Sequence, residues 1–289
     1  MTFNDDANIG GGRVSKRGRN AALGAGGGGL VVIALVVVSQ LVGVDLTGLA
    51  PILGGGQPTV EETTLDQCLT GEDANENIDC RMKGAAVALD AYWETQVEGY
   101  TAPALVIFEG SVSTGCGSAT SAVGPFYCPP DQTVYIDTAF YQDLREDFGA
   151  SGGPLAQLYV VAHEWGHHIQ NITGTMNGLD LQDQGPTSDG VRLELQADCY
   201  AGAWVAAAST VPDESGTPFL VEPTDAEIAD ALNAAAAVGD DHIQETLGGG
   251  QVNPETWTHG SSESRQKWFN AGYTQGVGVC DTFAPGAQL

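Results

Sequence analysis

Basic residues are scarce in this sequence. Its 289 residues include 10 Lys and Arg against 37 Asp and Glu, so the formal net charge is −27 at neutral pH. A protein that binds nucleic acid needs a dense basic surface to displace the counterions of the phosphate backbone. The composition therefore excludes a nucleic-acid partner, and the acidic surface is expected to keep the protein soluble.

Charged residues as a whole are also few. They make up 16% of the chain, whereas hydrophobic residues make up 42%. A disordered chain has too few hydrophobic residues to bury a core. This composition therefore excludes wholesale disorder and predicts a globular protein.

A paired CxxC spacing, as in a zinc knuckle, is also absent, so we interpret the cysteines as structural. Six cysteines fit disulfide bonds formed in an oxidising compartment. Cys68 with Cys80, and Cys116 with Cys128, each bracket a short polar segment, which favours these two pairs. Cys199 lies in an apolar helical run, and the sequence leaves open whether it pairs with Cys280 or stays a buried free thiol.

Charge and hydrophobicity divide the N-terminal part of the chain. Residues 1–20 contain four of the ten basic residues, and residues 21–44 contain no charge. A helix over 21–44 would be roughly 36 Å long, which is enough to cross a bilayer. A basic flank before an apolar run predicts a cytoplasmic tail at 1–20, a transmembrane anchor at 21–44 and an extracytoplasmic remainder in a single-pass membrane protein.

A cleaved signal peptide is the alternative to this anchor, and it would give a secreted protein. The strongly apolar part, residues 30–44, is short for a transmembrane helix. However, the best small-residue cleavage site, Gly48-Leu49-Ala50, is followed directly by Pro51. In either case we expect a linker at 45–66 and one folded domain at 67–289.

Helices and strands are predicted across this domain. Apolar residues at helical spacing indicate a helix at 81–97, and short β-rich runs indicate strands at 104–109 and 133–137. Capping residues, prolines and glycines bound the other predicted helices, at 137–148, 154–174, 191–209, 224–239 and 261–272.

His163-Glu164-Trp165-Gly166-His167 is an HExxH motif inside the predicted helix 154–174. Four residues are just over one helical turn, so both imidazoles leave the helix on one face and can bind one metal ion. Glu164 occupies the adjacent position, close enough to hold a metal-bound water without ligating the metal. The motif therefore predicts a zinc site with a general base beside it.

A catalytic zinc site needs three protein ligands and one position open to water. His168, His242, His259 or a downstream acid could supply the third ligand. His168 points about 100° away from His167 around the helix, so we expect it to be packed or hydrogen-bonded instead. We expect His242 to lie on the surface.

Glu194 and Asp198 are better placed, four residues apart on the predicted helix 191–209 and among apolar neighbours. Glu194 would complete the metal shell. Asp198 would accept the free ring N–H of His163 or His167, since such carboxylates fix the orientation of a ligating imidazole. The alternative is an ordinary solvated acidic pair on a helix surface.

Five blocks of the sequence together resemble the bacterial putative neutral zinc metallopeptidase family. They cover roughly residues 78–285, and they are HEWGHHIQ, ELQADCYAG, DALNAAAAVGDDHIQ, the CG…GPFYCPPDQTVYID stretch and THGSSESRQKWFNAGY. The resemblance implies an α+β, zincin-like fold, mostly helical with a small sheet, behind one N-terminal transmembrane helix. It also implies Zn2+ bound by His163, His167 and Glu194, with Glu164 catalytic and Asp198 supporting a ligand.

A further pattern is similar to the CAAX-processing and heat-shock membrane metallopeptidases, in which a His and, six residues later, an Arg follow the ExxxD helix. Here that pair is His259 and Arg265, and both can donate hydrogen bonds to a developing oxyanion. The alternatives are a helix-start neighbour near Ser261 for His259 and a salt bridge for Arg265. Gly260 stands where those relatives commonly have a proline.

These features predict a membrane-anchored zinc endopeptidase that hydrolyses a peptide or protein substrate with a zinc-bound water activated by Glu164. The substrate would add as a strand to a sheet edge, for which residues 133–137 are the candidate. Two alternatives stay open: another zinc hydrolase, such as an amidase or deformylase, and a non-catalytic binding module that contains zinc. The sequence leaves the substrate, the oligomeric state and the choice among divalent metals open.

Overall fold

The structure is a computed structural model that describes residues 2–17, 62–246, 248 and 250–289. The predicted anchor at 21–44 lies outside the described residues. Within the described parts, no helix combines the length and the hydrophobicity that a membrane crossing requires.

A five-stranded mixed sheet lies beneath the helices. Its strands are β1 (Val14–Arg17), β2 (Glu62–Thr64), β3 (Ala104–Phe108), β6 (Phe126–Cys128) and β7 (Thr133–Ile136), while β4 (Ser111–Thr114) and β5 (Gly117–Thr120) form a separate hairpin. The strand order is β2-β1-β3-β7-β6. The three central strands are parallel, and the two outer strands are antiparallel to their neighbours.

Alternating side chains of β3 explain how the sheet is buried on both faces. Leu105 and Ile107 join the main core with the helices, and Val106 and Phe108 join a smaller cluster on the other face. Successive side chains of a strand point to opposite faces, so a continuous apolar run predicts this two-sided burial. The predicted strands at 104–109 and 133–137 are confirmed.

The helices of the described residues pack on the sheet and on one another. They are α1 (Gly71–Glu76), α2 (Ile78–Gln96), α3 (Phe140–Glu146), α4 (Pro154–Ile172), α5 (Asp189–Ala207), α6 (Asp225–Ala237), α7 (Asp240–Thr246) and α8 (Ser262–Gln275). The α+β class is confirmed. Pro154 opens α4, and the capping box of Thr224 with Glu227 opens α6, as predicted.

Helix α8 continues past its predicted end. Gly272 is the predicted stop, but the helix ends only at Gln275, with Gly276 as its C-cap. A Cβ added at Gly272 would lie 1.9 Å from the carbonyl oxygen of Cys199, so this glycine serves the close crossing of α5 and α8. The sequence alone cannot distinguish a glycine that ends a helix from one that lets two helices approach.

The N-terminal segment 2–17 is part of the folded domain, which differs from its predicted role as a cytoplasmic tail. β1 lies inside the sheet, where Val14 is opposite Leu105 and Arg17 is opposite Glu62. Phe3 and Ile9 are buried in the main core. Local patterns missed this segment because its few apolar residues are irregularly spaced and their partners are far away in the sequence.

This pairing also changes the predicted topology. Arg17 and Glu62, which flank segment 18–61, are neighbours in one sheet. A cytoplasmic N-terminus and an extracytoplasmic catalytic domain would put β1 and β3 on opposite sides of a membrane, whereas the sheet joins them. β2 and the buried Leu65 lie just before residue 67, at which we predict the folded domain to start.

All six cysteines are paired. The structure contains the disulfides Cys68–Cys80, Cys116–Cys128 and Cys199–Cys280, with Cα–Cα distances of 5.1, 5.8 and 5.5 Å. The first two pairs are as predicted. The third settles the open question about Cys199, which links α5 to the C-terminal segment.

Candidate metal centre and active site

Helices α4 and α5 cross closely at the HExxH motif. A Cβ added at Gly166 would lie 2.9 Å from the Cα of Ala197, so only glycine permits this approach. The crossing brings Glu194, on α5, opposite the two motif histidines. The small residue inside the motif therefore explains how the chain assembles a site from two helices.

His163, His167 and Glu194 form a cluster that could hold a metal ion. One ligand atom from each residue lies within 4.8 Å of the others. His163 Nε2 is 3.1 Å from Glu194 Oε2, and His167 Nε2 is 3.4 Å from Glu194 Oε1. Two imidazole nitrogens and one carboxylate are a donor set typical of a zinc site with an open position.

A buried ionic network contacts Nδ1 of His163, the ring nitrogen that does not face Glu194. Asp198 Oδ1 lies 2.9 Å from His163 Nδ1 and also accepts a hydrogen bond from the hydroxyl of Tyr159. Arg265 binds the same carboxylate with two hydrogen bonds, 2.9 Å from Nε to Oδ2 and 3.0 Å from Nη2 to Oδ1. Since Asp198 and Arg265 are almost fully buried, each compensates the other's charge.

Arg265 is among the residues that line the groove, but its charged side chain is hydrogen-bonded to this network. Its guanidinium reaches Glu194 only at 4.0 Å, from Nη2 to Oε2. The structure thus places it as the ion-pair partner of Asp198, which is the alternative that the sequence left open beside an oxyanion contact. In this position it fixes Asp198, which in turn orients His163.

The charges of the cluster shift its pKa values. Burial alone lowers the pKa of His163, but Asp198 and Glu194 outweigh burial and raise it to about 10. Burial disfavours the ionised form of Glu194, yet the charges of His167 and His259 and the hydrogen bond from His163 hold its pKa well below the usual range. The carboxylate of Glu194 is therefore held in its ionised form, which is the form that can bind a metal ion.

Glu164 lies beside this cluster and is 7% exposed. Burial raises the pKa of its carboxyl group, while the nearby histidines partly oppose this shift. A raised pKa brings a carboxylate closer to the proton affinity that a general base needs near neutral pH.

His259 lies at the rim of the site and is held by Asp240. One carboxylate oxygen of Asp240, Oδ2, accepts the backbone N–H groups of Thr258, His259 and Gly260 at 2.8, 2.6 and 2.8 Å. The His259 side chain is 47% exposed and lines the same groove as His163 and Glu194. Asp240 was not among the candidate site residues, because its contacts lie 18 to 20 residues away along the chain.

A groove of about 830 Å³ runs past these residues. Much of its wall is apolar and includes Phe126, Phe140, Phe148, Val160 and Leu181. Asp143, Asp147 and Asp183 also line it. A groove of this size, mainly apolar with a few convergent polar groups, is typical of a ligand-binding site.

The edge strand beside this groove is β6, not the predicted segment 133–137. β7 covers that segment and lies inside the sheet, between β3 and β6. Residues 125–127 line the groove. The sequence could not order the strands, because β6 is only three residues long and follows an irregular segment.

His168 connects β6 to α4, as expected for a hydrogen-bonded rather than a ligating residue. Its Nε2 is 2.6 Å from the carbonyl oxygen of Thr101, and its Nδ1 is 2.9 Å from the hydroxyl of Tyr127. Because burial lowers the pKa of His168, it is a neutral link between strand and helix. His242 lies away from the cluster, 3.1 Å from the carbonyl oxygen of Phe148.

The sequence reading also missed two residues next to the motif. Tyr159 precedes His163 by four residues, and Gln170 follows His167 by three, so both lie on the motif face of α4. Gln170 Oε1 is 2.9 Å from His167 Nδ1. Helical spacing was the available signal for both residues.

One known protein family matches nearly the whole chain. Residues 3–283 match the family described as "Putative neutral zinc metallopeptidase". The chain belongs to this family. The match begins at residue 3, in agreement with the place of the N-terminal segment in the fold.

The chain is also similar to two uncharacterized bacterial proteins. The chain is 54% identical to the uncharacterized protein Rv2575 of Mycobacterium tuberculosis over 222 residues, which cover 76% of this chain and 75% of the relative. It is 39% identical to the uncharacterized protein YpfJ of Escherichia coli over 282 residues, which cover 93% and 91%. No solved structure matches the chain.

Proposed function

We propose that the protein is a zinc-dependent endopeptidase with Glu164 as general base. The observation that carries this proposal is the cluster of His163, His167 and Glu194, whose ligand atoms lie within 4.8 Å of one another, beside Glu164 and at an open groove. Family membership supports the same function.

The residues fit a zinc ion. Each histidine turns Nδ1 to a hydrogen-bond partner, Asp198 for His163 and Gln170 for His167, and this leaves Nε2 of both rings facing Glu194. When bound, zinc would acidify a coordinated water and polarise a substrate carbonyl.

Glu164 moves the proton in the proposed reaction. Its carboxylate takes a proton from the attacking water and later delivers it to the nitrogen of the leaving amine. The burial that raises its pKa makes the carboxylate a stronger base, which helps it to take the proton from the water. His259 would donate a hydrogen bond to the carbonyl oxygen as negative charge develops there.

The substrate in this proposal is an extended peptide that pairs with β6. β6 is an edge strand, and residues 125–127 line the groove beside the catalytic helix. Strand addition supplies main-chain hydrogen bonds, whereas the apolar groove walls accept side chains. Acidic residues at the groove disfavour acidic side chains in the substrate.

Membrane attachment is a separate part of the proposal and rests on the sequence of residues 21–44 alone. Because Arg17 pairs with Glu62, both flanks of segment 18–61 lie on the same side as the catalytic domain. The attachment therefore has to be tested independently of the activity, by fractionation of cells that express the full chain.

The test of the catalytic proposal is cleavage of a mixed peptide library by the zinc-loaded full chain. We expect internal cuts, detected by mass spectrometry, and a loss of roughly 10²–10⁴-fold in rate for Glu164→Gln with zinc retained. Glu194→Ala is expected to lose the metal. Glu98→Gln removes an exposed charge outside the groove and serves as the control.

Three results would contradict the proposal. Full zinc occupancy in Glu194→Ala would remove Glu194 from the ligand set. Hydrolysis of formyl or other amide substrates without peptide cleavage would favour a different zinc hydrolase. A zinc-loaded wild type without hydrolytic activity, whose cellular function survives Glu164→Gln, would favour a non-catalytic module.

A further inference from the structure

A chain of buried amide side chains links His167 to the C-terminal disulfide. Gln170 is fully buried and Gln196 is 4% exposed. Gln170 Nε2 lies 2.7 Å from the carbonyl oxygen of Leu193 and 3.2 Å from Gln196 Oε1. Gln196 Nε2 lies 2.8 Å from the carbonyl oxygen of Cys280.

The two backbone carbonyls fix the direction of every hydrogen bond in this chain. A carbonyl oxygen only accepts, so the nitrogen of each amide must face it. Gln196 therefore turns its Oε1 to Gln170, and Gln170 turns its Oε1 to His167. Because an amide oxygen also only accepts, His167 Nδ1 must carry a proton, and in the neutral imidazole Nε2 is then the unprotonated nitrogen that can bind a metal ion.

We propose that Gln170 and Gln196 are positioning residues that hold His167 in its metal-binding tautomer. We also propose that the Cys199–Cys280 disulfide fixes the far end of this chain, so that metal affinity depends on the disulfide. The inference rests on the proposed function, since it assumes a metal ion on the cluster.

The disulfide lies where it can have this effect. Cys280 supplies the carbonyl that orients Gln196, and Cys199 directly follows Asp198, which orients His163. This one disulfide therefore holds in place the hydrogen-bonding groups on the Nδ1 side of both His163 and His167. Without it, only non-covalent contacts would hold the Cys280 carbonyl against α5.

The test measures zinc affinity by competition with a chelator, and the tautomer of His167 by nitrogen NMR of the imidazole. We expect Gln170→Leu to lower zinc affinity by roughly 10–100-fold and to leave His167 in a mixture of tautomers. Gln196→Leu should lower affinity less, because Leu193 still orients Gln170. Gln170→Glu should keep the Nδ1-protonated tautomer, since its carboxylate also accepts that proton.

Gln157→Leu is the matched control. Gln157 is a buried glutamine on the same helix, hydrogen-bonded to Arg81 and to the Gly152 carbonyl. Its loss should change stability but not zinc affinity. For the disulfide, Cys199→Ala with Cys280→Ala should lower zinc affinity, whereas Cys68→Ala with Cys80→Ala should not.

The outcomes separate this inference from the proposed function. If the folded Gln170→Leu protein keeps wild-type affinity and a single Nδ1-protonated tautomer, the positioning role is overturned. If it does not fold, unchanged zinc affinity in the folded Gln196→Leu protein overturns that role instead. Unchanged affinity in the folded Cys199→Ala, Cys280→Ala protein overturns the role of the disulfide. If the wild type binds no zinc, the proposed function fails, while the tautomer still tests the two glutamines.

Discussion

One carboxylate, that of Asp240, holds the backbone that presents His259. Three consecutive N–H groups bind one of its oxygens, and a contact of this kind fixes a loop more firmly than a single hydrogen bond. We therefore expect Asp240→Asn to lower kcat/KM roughly tenfold, and His259→Ala roughly a hundredfold, because the oxyanion would lose a donor.

The kcat/KM of the double variant Asp240→Asn, His259→Ala tests whether Asp240 acts through His259. If Asp240 acts through His259, adding Asp240→Asn to His259→Ala has no further effect on kcat/KM. Asp241→Asn is the matched control. The Asp241 carboxylate accepts hydrogen bonds from the backbone N–H and the hydroxyl of Ser262 at the start of α8, and not from His259. Additive losses in the cycle would show that Asp240 acts independently of His259.

The buried carboxyl group of Asp90 makes the stability of the protein depend on pH. Burial raises its pKa to about 6, against the hydrogen bonds from Tyr100 and Trp165 that favour the ionised form. The folded protein then keeps a proton that the unfolded chain releases near pH 4. The free energy of unfolding should therefore fall by at most about 3 kcal/mol as the pH rises from 4 through 6.

Urea denaturation of the wild type and of Asp90→Asn between pH 4 and 7 checks this sign. The asparagine carries no titrating proton, and its amide oxygen can still accept from Tyr100 and Trp165. The wild type should lose stability relative to the variant up to about pH 6, with a constant difference above that. If the free energies of unfolding of the two proteins change in parallel over the whole pH range, Asp90 is ionised in both the folded and the unfolded protein.

Among the helices, the crossing of α5 and α8 brings together the residues of the candidate metal site. α5 supplies Glu194 and Asp198, and α8 supplies Arg265. A Cβ added at Gly272 would lie 1.9 Å from the Cys199 carbonyl oxygen, and one added at Gly202 would lie 2.0 Å from that of Phe269. Either contact would force the helices apart.

We therefore expect Gly272→Ala to destabilise the protein by about 3 kcal/mol or more, although alanine favours a helix elsewhere. Zinc affinity should fall as well, because a shift of α5 would move Glu194 away from His163 and His167 on α4. Thermal unfolding and zinc titration measure both effects. Gly278→Ala is the control, since a Cβ there meets nothing within 4 Å, and a comparable loss in that variant would contradict the crossing argument.

The predicted elements show what local patterns can determine. Capping residues and apolar spacing located α4, α5 and α6, because these signals act within a few residues of the chain. The disulfides Cys68–Cys80 and Cys116–Cys128 were predictable for the same reason, because the partners in each are only 12 positions apart in the sequence. The order of the strands was not predictable, because neither β1 nor β6 signals which strand it joins.

For the whole molecule, segment 2–17 is the main part of the fold that local sequence patterns did not predict. Phe3 lies against Gly84 of α2, and β1 fills the place between β2 and β3. A protein that begins at residue 57 would lack this internal strand and expose the core beneath it. Loss of Phe3 and Ile9 alone should cost about 4 kcal/mol, since each buried side chain contributes about 2 kcal/mol.

A comparison of three proteins tests this role. The full chain, the chain from residue 57, and a chain in which a short glycine-containing turn replaces residues 18–61 are compared by thermal unfolding. The last should fold, because Arg17 and Glu62 are opposite each other in an antiparallel pair that a short turn can close. Equal melting temperatures for the first two would show that segment 2–17 is dispensable.

The HExxH motif and the helices around it were predictable from the order of the residues, because helical spacing is a local property of the chain. The folded structure was needed to see that residues 2–17 form part of the sheet, that β6 is its edge strand, that Arg265 pairs with Asp198, and that Gln170 and Gln196 form hydrogen bonds behind His167. Each of these depends on contacts between residues distant in the sequence, and those contacts are set by how the core packs rather than by any local pattern.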